Sequence, residues 1–367
     1  MKRKFALHAP RVSYYYGGAE RFILNFLEES IRQKKNITLV TYDAPEKSEW
    51  FKRFYRKCKN KIILIKSTKL DKLFTKFKKA TKPLQWDKES RLFSEEANKV
   101  CYSRDFTNIS YHYTVDCLYS PKDVMVHLHL HGLPDKKRQI ESDAIKKADQ
   151  IIAVSSYVGK GWKKLHNIRK KINVVHNAIN PCIFTAKKKK TKDIIYFGRL
   201  IKIKGVDTLI KALRENSKRN KDISVIIIGE GPEKIYLEKL AKKCGIEKNV
   251  EFKGRVSDKE LKKLILSSRL SVFPSYKREG VITTLLEAMN LGCVVIAANA
   301  CSNTELIEDG KNGFLFPPKN HKELSKWIDC LLENDILREQ VSKTAKKSLK
   351  DFSWKTQTKK VWMIFNS

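Results

Sequence analysis

Short runs of apolar residues recur along the chain, and between them lie longer stretches whose apolar residues return every third or fourth position. The short runs fit strands buried on both faces, and the longer stretches fit amphipathic helices. In the first half, Ile37–Thr41, Ile62–Ile65, Val124–Leu130, Ile151–Val154 and Ile172–Val175 read as strands. In the second half, Ile194–Phe197, Val225–Ile228, Val250–Phe252, Leu270–Phe273 and Val294–Ala297 do the same. Strands alternating with helices predict parallel sheets covered on both sides, and two such series in 367 residues predict two doubly wound α/β domains. Asn177, Asn180 and Pro181, followed by Lys187–Lys190, break the pattern and predict a solvated linker. The expected boundaries are 1–178 for the first domain, 179–192 for the linker and 193–351 for the second domain. The aromatic segment Trp354 to Phe365 predicts a helix, with 352–367 expected to rejoin the first domain.

Composition narrows the class. No stretch approaches the roughly 20 apolar residues of a membrane span, and no signal-peptide run follows the basic start Met1–Lys4, so a cytoplasmic protein is expected. The eight cysteines are scattered without a CxxC pair, which predicts reduced core residues rather than a zinc site or disulfide framework. Net charge is +36, and it is uneven. Residues 1–190 hold 42 basic and 18 acidic side chains, a balance of +24. Lys47–Lys82 alone holds 14 basic residues against Glu49 and Asp71. Two amphipathic stretches lie there. One carries Trp50, Phe51, Phe54, Tyr55 and Cys58, and the other Leu70, Leu73, Phe74 and Phe77, each flanked by lysines and arginines. They fit either an anionic membrane surface or helices packed on the first sheet. A nucleic-acid partner would also suit the charge, but no recognised nucleic-acid-binding module is present, and none is expected to bind.

Three turns carry candidate chemistry. Gly198-Arg199-Leu200-Ile201-Lys202-Ile203-Lys204-Gly205 follows a strand and places two cations where a diphosphate could be neutralised. Gly229-Glu230-Gly231-Pro232 follows the next strand but lacks the third glycine of a dinucleotide fingerprint, since Lys234 stands there. Glu279-Gly280-Val281-Ile282-Thr283-Thr284-Leu285-Leu286-Glu287 sets two carboxylates across a turn and a helix start, a place suited to phosphate. Glu287 is positioned to reach ribose hydroxyls. In the first half, Gly17 and Gly18 precede an apolar-faced helix and offer a second such N-terminus. His127, His129 and His131 alternate along one strand. A metal triad is disfavoured by their spacing, and His131, at the carboxyl end, opens toward the crevice.

Taken together, Gly198–Gly205, Gly229–Pro232, Phe273–Ser275, Glu279–Glu287 and Glu305–Phe314 resemble the retaining glycosyltransferases of family 4, of the "glycosyl transferases group 1" type. The resemblance implies the GT-B fold, two Rossmann-like domains facing each other across a cleft. It implies a donor site of Gly17, Gly18, Arg199, Lys204, Gly231, Arg255, Val256, Glu279, Gly280, Val281, Ile282, Thr283 and Glu287. Of these, Arg199 and Lys204 would bind the diphosphate, Glu279 the transferred sugar and Glu287 the ribose, with the backbone near Lys253–Val256 framing the base. Catalytic roles would fall to His131, Glu279, Arg199 and Lys204. Departures from the family pattern are Val281-Ile282 for Phe-Gly, Ala178 for Gly, and Cys293 for Pro.

The implied activity is retaining transfer of a hexosyl or N-acetylhexosaminyl group from a nucleotide sugar, with a UDP-sugar first and a GDP-sugar second. The implied acceptor is a glycan or a lipid-linked molecule of bacterial cell-surface polysaccharide or lipopolysaccharide biosynthesis, held by the first domain. No cofactor or metal is expected, since no Asp-x-Asp pair occurs and two cations can do a metal's work. The favoured route is a short-lived oxocarbenium ion attacked from the leaving-group side. With 47–82 on an anionic surface, the enzyme would sit peripherally on the inner face of the cell membrane. Alternatives are a soluble acceptor, or a catalytically silent nucleotide-sugar-binding protein.

Overall fold

The computed structural model describes residues 3–15, 17–76, 83–134, 138–180, 190–219, 221–278 and 283–367. The chain divides into two compact units, Met1–Asn177 with Trp354–Ser367, and Ala178–Ser353.

The first unit is built on a parallel sheet of β1 (Phe5–His8), β2 (Ile37–Tyr42), β3 (Ile62–Ile65), β4 (Asn108–Tyr111), β5 (Met125–Leu130), β6 (Gln150–Ala153) and β7 (Ile172–Val174). Their order is β3-β2-β1-β4-β5-β6-β7. The second unit contains β8 (Lys192–Phe197), β9 (Val225–Ile228), β10 (Val250–Gly254), β11 (Ser268–Phe273), β12 (Val294–Ala298) and β13 (Phe314–Phe316). These are ordered β10-β9-β8-β11-β12-β13. Both sheets are entirely parallel. The expected α/β class is therefore the observed one. In each sheet the strand order reverses beside its first strand, which places a crevice at the carboxyl edge there.

Three strands were not anticipated. Strand β1 is four buried residues directly behind a basic start, and β13 is only three residues long. Strand β4 reads as polar in the sequence, yet Asn108 and Ser110 are buried. They can be, because Asn108 Oδ1 lies 3.0 Å from His127 Nε2 and Ser110 Oγ lies 3.3 Å from His112 Nε2.

The helix Trp354–Asn366 belongs to the first unit and closes one face of its sheet. Phe365 stacks on Phe5 with centroids 5.5 Å apart and lies 4.2 Å from the ring of His127. Trp362 Nε1 donates to Ser30 Oγ at 3.0 Å. The basic helices Glu49–Cys58 and Thr68–Lys76 turn their apolar residues inward. Phe51, Phe54, Cys58 and Leu70 are buried, and Phe74 meets Tyr14 edge-on at 5.2 Å. Phe51, Phe54 and Leu70 of those apolar stripes therefore serve the core, Trp50, Tyr55, Leu73 and Phe74 are half-buried, and Lys52, Arg53, Arg56 and Lys57 face water beside the exposed Glu49. Phe77 lies outside the described residues.

The cysteines divide. Cys58, Cys101, Cys117 and Cys293 are buried, but Cys330 is exposed and Cys244 and Cys301 are half-buried, which corrects the expectation of a uniformly core role. Cys182 lies outside the described residues.

Burial under Phe365 pushes the His127 imidazole down to about 4, and burial also holds His129 well below the usual histidine range. Between pH 4 and 6.5 the unfolded chain thus binds more protons than the folded one, so stability is lost as the pH falls through that window. Each such histidine contributes a slope of about 1.4 kcal/mol per pH unit. We expect a melting temperature that is level above pH 6.5 and declines below it, with a shallower decline in His127→Gln. An identical slope in the variant would contradict this.

Candidate functional site

At the carboxyl edge of the second sheet, the turns after β8, β9, β10 and β11 are locked into one another by backbone contacts. Gly198 N–H donates to Ile228 O at 3.0 Å, Leu200 N–H to Glu230 O at 2.9 Å, Glu233 N–H to Leu200 O at 3.0 Å, and Gly229 N–H to Gly254 O at 2.8 Å. Glycine is required for these approaches. Gly229 has φ 136°, and a Cβ there would lie 1.9 Å from Gly198 O. A Cβ at Gly231 would lie 2.2 Å from Leu200 O. The glycines of Gly229–Pro232 thus permit this loop-to-loop packing.

The loop carrying the two cations is held on its other side as well. Gly205 is left-handed, with φ 67° and ψ 25°, and caps the helix Val206–Ser217. A Cβ there would come within 2.3 Å of Pro274 O, and Tyr276 N–H donates to Ile203 O at 3.2 Å. Residues 198–205 are therefore wedged between the β9 turn and the β11 turn, beside the point where strand order reverses. Tyr196 O–H donates to Arg199 O at 3.2 Å and ties down the loop's first half.

Electrostatics at this edge favour an anion. Arg199 and Arg255 are exposed and form no ion pair among the described residues. Lys204 is half-buried, and its backbone N–H donates to Ile201 O at 2.9 Å. The helix beginning at Val206 has no side-chain cap, and its one first-turn acid, Asp207, is paired with Lys211 at 2.9 Å. Its N-terminal amides thus present a positive dipole end beside the two cations. Val256 is half-buried in the turn after β10. Thr283 opens the helix Thr283–Asn290, and Glu287 lies half-buried in its second turn. Glu279, Gly280, Val281 and Ile282 lie outside the described residues, so the structure does not place that part of the expected site.

In the first unit, Gly17 and Gly18 begin the helix Gly18–Arg32, again without a side-chain cap. A Cβ on Gly18 would meet nothing within 4 Å. The loop before it is pinned by Arg11, whose Nε donates to Glu89 Oε2 at 3.0 Å and whose guanidinium lies 4.2 Å from the centre of the Tyr113 ring. Glu20 is buried, accepts a hydrogen bond from the Tyr113 hydroxyl, and is held above the usual carboxylate range by burial. His127, His129 and His131 share one sheet face, as their alternation predicts. His127 sits between Gln150 and Asn108, so in its neutral form one of those amides must present its NH₂ group. His131, just past β5, is half-buried and bonded to a residue the sequence did not single out. His112 Nδ1 lies 2.9 Å from His131 Nε2. Burial lowers His131 to about 4 and His112 well below the usual range, with His129 adding to the effect on His112.

The two glycine sites differ in a way that stability can report. Gly205→Ala should lower stability by about 1–3 kcal/mol through its positive φ and the clash with Pro274 O. Gly18→Ala should melt at or slightly above the parent temperature. Equal melting temperatures for the two variants would contradict the assigned packing.

Residues 183–348 match the family model described as Glycosyl transferases group 1. An uncharacterised glycosyltransferase of Methanocaldococcus jannaschii is 30% identical over 233 residues, 60% of this chain and 59% of that protein. Alpha-D-kanosaminyltransferase of Streptomyces kanamyceticus is 32% identical over 153 residues, 41% of this chain and 39% of that protein. The chain thus spans about three-fifths or less of the length of these two relatives. Among solved structures, Anabaena HepE in complex with UDP superposes with a TM-score of 0.78 over 99% of both chains at 18% identity. Residues 183–348 are thus similar to the glycosyl transferases group 1 family, in a chain of two parallel-sheet α/β units that share the fold of GT-B proteins.

Proposed function

We propose that the protein is a retaining glycosyltransferase that moves a hexosyl or N-acetylhexosaminyl group from a nucleoside diphosphate sugar to a glycan or lipid-linked acceptor, without a metal ion. The observation that carries this reading is the cation-bearing loop 198–205, wedged at the switch point of the second sheet beside an uncapped helix N-terminus. A leaving diphosphate gains negative charge as the glycosidic bond breaks, and fixed cations stabilise it most when they need no rearrangement. Arg199 and Lys204 are assigned that role. Glu287 is assigned the ribose, the backbone near Lys253–Val256 the base, and Glu279 the transferred sugar. UDP is the favoured base-bearing group, since HepE has been crystallised with it. Reaction through a short-lived oxocarbenium ion, with the departing phosphate taking the acceptor's proton, gives retention without a protein nucleophile.

The match to an alpha-D-kanosaminyltransferase supports transfer of an amino or plain hexose. A glycan or lipid-linked acceptor suits the excess positive charge of residues 1–190 if that acceptor carries phosphate or carboxylate groups.

The test is a transfer assay in chelator, with the product's anomeric configuration read by NMR. Turnover should persist without divalent metal, and the donor's configuration should be kept. Lys204→Ala and Arg199→Ala should each lower kcat by roughly 10²- to 10³-fold. Inversion, a strict metal requirement, or near-normal turnover in Lys204→Ala would each refute the reading.

A further inference from the structure

The hydrogen bond between His112 and His131 restricts which nitrogen of His131 carries its proton. Both rings are held in the neutral form by burial, and no carboxylate is among the groups that shift either of them. A neutral imidazole has one N–H, so a single proton lies between His112 Nδ1 and His131 Nε2, 2.9 Å apart. Two arrangements satisfy that bond. In one, His112 Nδ1–H donates and His131 carries its own proton on Nδ1. In the other, His131 Nε2–H donates and its Nδ1 is bare.

Ser110 decides between them. Its buried hydroxyl has one partner among the described residues, His112 Nε2 at 3.3 Å. If His112 carried its proton on Nε2, the serine hydrogen would be left buried without an acceptor, a penalty of about 1–3 kcal/mol. With the proton on Nδ1, Ser110 O–H donates to His112 Nε2, and His112 Nδ1–H donates to His131 Nε2. The stack around them keeps the geometry. His129 lies over His112 with centroids 4.5 Å apart at 27°, and Phe22 meets His131 edge-on at 5.1 Å. His131 Nδ1 then remains as an N–H without a partner among the described residues, on a half-buried residue just past β5.

We propose that Ser110 and His112 fix His131 as the Nδ1–H tautomer, so that His131 meets an oxygen of a bound ligand as a hydrogen-bond donor and does not accept a proton from it. Ser110 and His112 are positioning residues acting through His131, and the proposal rests on the expected catalytic role of His131 in the proposed glycosyl transfer. The ligand oxygen it suits is an acceptor without a hydrogen to give, such as a phosphoryl or ring oxygen, or a hydroxyl through its lone pair.

Nitrogen-15 NMR of the full chain at pH 7 reads the tautomer directly, with no need for activity. His131 should be protonated at Nδ1 in the parent. It should shift to Nε2–H in His112→Phe and keep Nδ1–H in His112→Gln, whose side-chain amide can still donate. In transfer assays kcat should fall about 10-fold in His112→Phe with KM little changed, and recover in His112→Gln. An Nε2–H form of His131 in the parent, where no substitution complicates folding, overturns the proposal. So does the same tautomer in the parent and in His112→Phe. If the tautomer behaves as stated and no chain, parent included, transfers sugar, the lock stands and the proposed activity falls.

Discussion

The approach of Gly205 to Pro274 O is the contact on which the candidate donor site depends. It sets the β8 turn against the β11 turn with no room for a side chain, and Gly229 and Gly231 do the same against the β9 turn. A loop clamped on both flanks by main-chain atoms has a fixed backbone from which Arg199 and Lys204 project. The clamp accounts for three glycines, since a Cβ at Gly205, Gly229 or Gly231 would meet a carbonyl oxygen within 2.3 Å.

The first unit is organised by a different constraint. Asn108, Ser110, His112, His127, His129 and His131 put a polar stripe on a sheet face otherwise covered by Phe22, Phe26, Trp362 and Phe365. A buried polar group is tolerated when it has a partner, and most of these pair with one another. The stripe runs toward the carboxyl edge, where His131 ends it half-buried. The helix Trp354–Asn366, which comes from the far end of the chain, is part of the cover, so the C-terminus is tied to the ordering of this face.

Much of this was legible in the sequence. The runs behind β8, β9 and β12 are apolar throughout because both faces of a parallel strand are covered, and the alternation of His127, His129 and His131 put them on one face. Strand β4 was hidden because its Asn108 and Ser110 look like surface residues until the histidines that satisfy them are in place. His112 was missed for the same reason, being a lone histidine with no periodic neighbour in its own segment. The sequence could not show that Leu200 O is the atom that excludes a side chain at Gly231. The amphipathic stretches of 47–76 suited two environments equally, and only the burial of Phe51, Phe54 and Leu70 distinguishes core from membrane.

The measurement that bears most directly on the account is calorimetric titration of the full chain with UDP, GDP, ADP and CMP, each in the presence of chelator. One of the diphosphates should bind with micromolar affinity, and that binding should be lost in Lys204→Ala. Binding that appears only with a divalent metal, or that survives Lys204→Ala unchanged, would contradict it.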